Sequence, residues 1–235
     1  MIDGLFMSHH QSIGKTLTLT KKEKRGVLAG MLLGRGQRNG HNFYIAAYHQ
    51  RELELDYLRF KQDWLERITG QSIPCCPSVN SQGVSYLRLQ PPLIPLTRIL
   101  VQKLYQGSAR KVITREFLEE LTPQGVAIWF LDCGSKTFKK RQGKIHALEV
   151  YLNTNLPKAE NETIVKYFLE HWGIQWGLSS QNKRTGCYRL RIGTKKGQAF
   201  FEQLSPYVPS SMLYKINTSY SRTATPGTRE LRVKE

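Results

Sequence analysis

The chain has 235 residues, enough for one large domain or for two units of about 100 to 120 residues that each bury a core. Its 35 Lys and Arg against 18 Asp and Glu give a net charge of +17, far beyond what solubility requires, and point to a polyanionic partner, nucleic acid first. The longest clear apolar run, 126–131, is too short to span a bilayer, and no long helix sets a basic face against an apolar one. The four cysteines lack zinc spacing, so a membrane protein and a zinc domain are excluded and a reducing compartment fits.

Residues 1–20 read as a disordered extension without the apolar stretch or cleavage site of a secretory signal, so the expected location is the cytoplasm with the nucleoid, or an organelle. His9 and His10 fall there, and the six histidines show no ligand spacing, so no metal is assigned to them. An apolar helix over 24–34 stops at Gly36, followed by a polar stretch 37–41, a strand over 42–49, a helix over 53–68, a strand over 84–90 and a helix over 96–105. The Pro-rich stretches 73–77 and 91–95 read as loops, and 107–111 as the start of a linker. The second half repeats the order: helix 123–131 stopping at Gly134, basic loop 135–143, strand 144–153, helix 159–172, strand 187–192, helix 198–204. Gly36 and Gly134 lie 98 residues apart, which sets the repeat. The order is αββαβα twice, or αββαββα with weakly marked hairpin partners. The expected division is a first unit at 21–106, a linker at 107–118, a second unit at 119–217 and a polar tail at 218–235.

Laid against the nine letters LAGLIDADG, the first apolar helix reads Leu28-Ala29-Gly30-Met31-Leu32-Leu33-Gly34-Arg35-Gly36, and the second reads Val126-Ala127-Ile128-Trp129-Phe130-Leu131-Asp132-Cys133-Gly134. Leu121-Thr122-Pro123 before the second motif, Tyr151-Leu152-Asn153-Thr154 on the next strand and Pro209-Ser210-Ser211-Met212-Leu213-Tyr214-Lys215 near the end each resemble family segments. Arg110-Lys111-Val112-Ile113 parallels Tyr214-Lys215-Ile216. On these residues the chain resembles the monomeric, two-repeat LAGLIDADG homing endonucleases. The resemblance implies an α+β fold of two pseudo-symmetric αββαββα units, with the motif helices side by side at the interface and two antiparallel sheets forming a saddle over DNA.

It also implies an acid at the eighth letter of each motif, where the two carboxylates hold divalent cations. Those letters are Arg35 and Cys133. A guanidinium offers only donors, and a thiolate is poorly matched to magnesium, which wants hard oxygen ligands. Asp132 is one residue off, about 100° around the helix. No catalytic residue and no cofactor are therefore expected, with magnesium entering only if the chain still cuts through a displaced site. Arg35 reads as a cation in the last helical turn, with Gly36 as the cap, and Cys133 as a packing residue.

For binding, alternation places Arg189 and Arg191 on the face opposite Tyr188, Leu190 and Ile192, and Tyr86, Arg88 and Gln90 opposite Leu87 and Leu89. Such faces suit bidentate contacts to bases, while Lys183, Arg184, the loop lysines Lys136, Lys139, Lys140 and Lys144, and Lys111 and Lys215 are candidates for phosphate, and Arg35, Arg38, Arg110 and Arg141 are further candidates for contact with the nucleic acid. No aromatic stacking platform is evident, which favours duplex DNA over structured RNA. The expected protein is a monomer that binds nucleic acid without cutting it, as a regulator or a splicing (maturase-like) factor. The alternative is a homing endonuclease with an atypical metal site, and a regulator of the WhiA kind would need a further domain for which the duplicated unit leaves no room.

Overall fold

The computed structural model describes residues 18–48, 52–182, 184 and 186–219. The expected N-terminal extension, Lys183 and most of the tail therefore lie outside the described residues. The first half runs α1 (Lys21–Leu33), β1 (Gly36–Asn39), β2 (Asn42–Ala47), α2 (Glu52–Thr69), β3 (Cys75–Val79), β4 (Ser85–Leu89) and α3 (Pro95–Tyr105). A single turn, α4 (Arg115–Leu118), lies in the stretch read as linker. The second half runs α5 (Pro123–Cys133), β5 (Gly134–Arg141), β6 (Lys144–Leu156), α6 (Lys158–Trp172), β7 (Gly177–Asn182), β8 (Cys187–Gly193) and α7 (Thr194–Leu204), then two 3-10 turns, Ser205–Tyr207 and Ser210–Lys215.

The two halves have the same topology, with antiparallel sheets ordered β1-β2-β4-β3 and β5-β6-β8-β7. The α+β fold of two αββαββα units is thus present. Four segments differ from the sequence expectation, one being Gly177–Asn182, which the sequence leaves unassigned and which forms β7. The polar stretch after α1 and the basic loop after α5 are the strands β1 and β5, and the proline stretch before Pro77 runs into β3. Each is an edge strand, which needs only one hydrogen-bonded neighbour, tolerates a proline and carries little apolar signal.

Both motif helices are started by threonines. Thr20 caps α1 in a reciprocal box with Glu23 (3.2 Å from the Glu23 N–H to Thr20 Oγ1, 2.7 Å from the Thr20 N–H to Glu23 Oε2). Thr122 caps α5, with Pro123 in the first turn. The helices then pack backbone to backbone. A Cβ at Gly30 would overlap the Gly125 carbonyl, and one at Gly125 would overlap the Gly26 carbonyl. Residues 125–131 of α5 are all buried, which places that helix at the centre of a core running through both halves.

Gly30→Ala is expected to destabilise the fold by roughly 1–3 kcal/mol, because the added methyl meets main chain that cannot turn aside. Urea unfolding checks this; a variant as stable as the parent would show that the helices are not in backbone contact.

Candidate nucleic-acid interface

Strand register makes the two sheet faces equivalent. Tyr44 pairs with Gln37, the residue after the first motif, and Tyr151 pairs with Ser135, the residue after the second. Leu89 lies opposite Ile45, and Leu190 opposite Leu152, so Arg88 corresponds to Arg189. In each sheet the arginine sits over the tyrosine, 4.2 Å from the Arg88 guanidinium carbon to the Tyr44 ring centroid and 4.0 Å from that of Arg189 to the Tyr151 ring centroid. Such stacking holds a guanidinium in place while leaving donors outward. Arg88 Nη2 donates to Gln90 Oε1 at 2.5 Å, and that oxygen also accepts from Asn39 at 3.1 Å. Arg189 donates to Ser179 at 3.3 Å and Asn153 at 3.4 Å. Sequence alternation finds both arginines. The tyrosines beneath them are missed, because their equivalence depends on register.

On the second sheet Glu149 gathers its neighbours. It accepts from the Tyr151 hydroxyl and pairs with Arg191 and, at 3.1 Å, with Lys139. The Tyr151 hydroxyl first, then Lys139 and Arg191, hold the Glu149 carboxyl at about 2, far below the usual carboxylate range. Its contribution to stability is present above the ordinary value of 4.5 and is lost as pH falls through about 2.

At the ends of the motif helices the structure corrects the expected capping. Helix α1 stops at Leu33 with Gly34 as its cap, so Arg35 lies beyond the last turn and is exposed, and Gly36 opens β1. The cations on the helix ends are instead Lys111, whose amine donates to the Gly34 carbonyl at 2.9 Å, and Lys215, which donates to the Leu131 carbonyl at 2.5 Å and the Gly134 carbonyl at 3.3 Å. Each satisfies a carbonyl at a helix's negative end. Burial pulls both amines below the ordinary lysine value.

Both carboxylate oxygens of Asp132 are engaged. Its side chain is fully buried, Oδ1 is 2.5 Å from the equally buried Lys61 amine of α2, and Oδ2 accepts the Arg35 N–H at 2.9 Å. Lys61 also sits 4.3 Å over the Tyr57 ring, and burial lowers its pKa against the opposing pull of Asp132. Burial, then Asp132, pushes the Cys133 thiol up to about 11, so it is neutral at physiological pH. The donor set at the paired motif ends is thus a guanidinium, a thiol, three amines and one engaged carboxylate. It does not fit a hard divalent cation.

The remaining candidates divide. Arg38 donates to the Ser108 carbonyl at 2.9 Å and lies 5.0 Å over Tyr105. Arg110 is paired at 2.6 Å with Glu160 of α6. Lys136 projects from the other face of β5 onto the Tyr214 and Asn217 carbonyls, and burial lowers its pKa to about 8. Lys140, Arg141 and Lys144 are exposed toward the tip of the β5–β6 hairpin, and Arg184 is exposed in the turn before β8. The structure therefore gathers Arg88, Arg189, Arg191 and Lys139 on the sheet faces, and Arg35, Arg38, Lys111 and Lys215 at the centre.

Residues 25–200 match the LAGLIDADG DNA endonuclease family. Over 203 residues the chain is 27% identical to Protein RecA of Mycolicibacterium flavescens, covering 81% of this chain and 45% of that protein. It is likewise 27% identical to Protein RecA of Mycobacterium leprae (strain TN), covering 81% and 27%. The chain spans less than half the length of these relatives. Among solved structures, the homing endonuclease I-WcaI bound to its DNA recognition sequence shares the fold, with a TM-score of 0.67 over 85% of this chain and 88% of that one at 18% identity.

Lys61→Met is expected to cost about 3–5 kcal/mol by stranding the Asp132 carboxylate in the interior, and adding Asp132→Asn should recover part of that loss. Chemical denaturation of both variants checks this, and a Lys61→Met protein as stable as the parent would contradict the pairing.

Proposed function

The chain belongs to the LAGLIDADG DNA endonuclease family, and from that premise we propose that it binds nucleic acid without cutting it, duplex DNA in preference to structured RNA, as a regulator or splicing factor. The observation that carries this reading is the fate of Asp132, the acid carried by the second motif itself, which is buried against Lys61 and the Arg35 N–H. Phosphodiester cleavage by the family's chemistry needs oxygen ligands for a metal that activates water and relieves charge on the leaving oxygen. Arg35 and Cys133 supply none.

Binding needs none of that. A net charge of +17 supplies the non-specific attraction to a polyanion, while the two Arg-on-Tyr pairs offer equivalent, positioned donors to base edges. Both halves of the saddle come from one chain, which makes a monomer sufficient. A site in the cytoplasm with the nucleoid, or in an organelle, follows from the same partner.

Incubation with a randomised plasmid library and magnesium or manganese should give no site-specific cleavage, while sequencing of nucleic acid co-purified with the tagged protein should recover an enriched set. Site-specific cutting abolished by Asp132→Asn would overturn the non-cutting reading. Glu149→Gln should release Arg191 and Lys139 and steepen the salt dependence of duplex binding by about one to two counterions; an unchanged slope would mean these two cations do not face the ligand.

A further inference from the structure

Arg35 and Lys111 open onto a cleft of about 710 Å³ beside β1, lined also by Arg38, Tyr48 and Tyr105. This volume falls in the range of sites that take a nucleotide-sized ligand. Among the described residues no acidic side chain lines it, and the acid on an adjoining cleft that Arg35 also lines is Glu54. Among the described residues Arg35 has no ion-pair partner, and its side chain is exposed. Lys111 commits one donor to the Gly34 carbonyl and keeps two. Arg35, Arg38 and Lys111 therefore give the cleft an excess of positive charge, which suits a phosphate.

The lining is also aromatic. Tyr48, just past the end of β2, is 42% exposed, lines the cleft and packs against the buried Tyr86 ring with centroids 5.2 Å apart. The Arg38 guanidinium, seated on Tyr105, adds a second flat surface. Bases stack on such rings and guanidinium planes when they are out of a helix, whereas a continuous duplex offers no base face. The sequence shows no such platform, because Tyr48 and Tyr86 meet only through the β2–β4 pairing.

We propose that this cleft takes one unstacked nucleotide of a single-stranded segment, its phosphate on Arg35 and Lys111 and its base against Tyr48. The inference rests on the nucleic-acid-binding reading and adds a second mode to it, beside the sheet faces that serve a duplex. Ribose and deoxyribose strands share the recognised chemistry.

The test is fluorescence anisotropy with three labelled probes, a twelve-residue thymidine strand, a twelve-residue uridine strand and a twelve-base-pair duplex. Tyr48→Ala should weaken at least one single strand about 5- to 150-fold, Tyr48→Phe should retain the affinity, and the duplex should change less than twofold. The strand that responds identifies the sugar. Arg35→Ala, at an exposed position, provides an independent check and should lower single-strand affinity at least fivefold. Single-strand affinities unchanged in both alanine variants, or equal losses on single strand and duplex, would overturn the cleft while leaving duplex binding standing. Failure of the parent protein to bind any of the three probes would sink both readings.

Discussion

The contact between the two motif helices is the constraint from which the rest follows. Gly26, Gly30 and Gly125 let α1 and α5 meet main chain to main chain, which fixes the two sheets relative to each other and sets the helix ends side by side. Closeness of that kind brings four cationic side chains and one carboxylate into a small volume. The structure resolves the charge with one buried pair, Lys61–Asp132, reaching from α2 of the first half to α5 of the second. A carboxylate there also answers the Arg35 N–H, and Gly34 leaves room for it, since a Cβ at Gly34 would overlap Asp132. The pair is asymmetric. The position at the end of α1 that corresponds to Asp132 is its cap, Gly34, so the two-fold relation of the halves breaks at its own axis.

Much of this was legible in the sequence, and the failures have physical causes. The motif helices stand out because apolar runs end at glycines, and Thr122-Pro123 announces the second. Strands β1 and β3 were unreadable as strands because edge positions tolerate Gln, Arg, Asn and Pro that an interior strand would reject. Lys111 and Lys215 were found as a matched pair, but burial and the helix-end carbonyls give them a structural task. Lys61 carries a signal of its own: Tyr57, Leu58, Lys61, Leu65 and Ile68 form one buried stripe of α2, and a lysine inside such a stripe calls for a buried acid. Its partner lies 71 residues away, which no local pattern reveals.

The sheet faces and the helix ends both present positioned positive charge. Arg88 on Tyr44 and Arg189 on Tyr151 repeat a positioned donor at matched places in the two sheets, while Glu149 restrains Arg191 and Lys139. At the centre, Arg35, Lys111 and Lys215 face a neutral thiol and a carboxylate already neutralised by Lys61. A cation is repelled there and an anion is attracted, at short range and partly out of water, where such terms are least screened.

The most direct measurement of that reversal is the affinity for nucleic acid with calcium against EDTA at equal ionic strength. A centre built for phosphate predicts the same dissociation constant in both. Affinity raised tenfold or more by calcium, with the gain lost on Asp132→Asn, would show that a divalent cation still occupies the space between the helix ends.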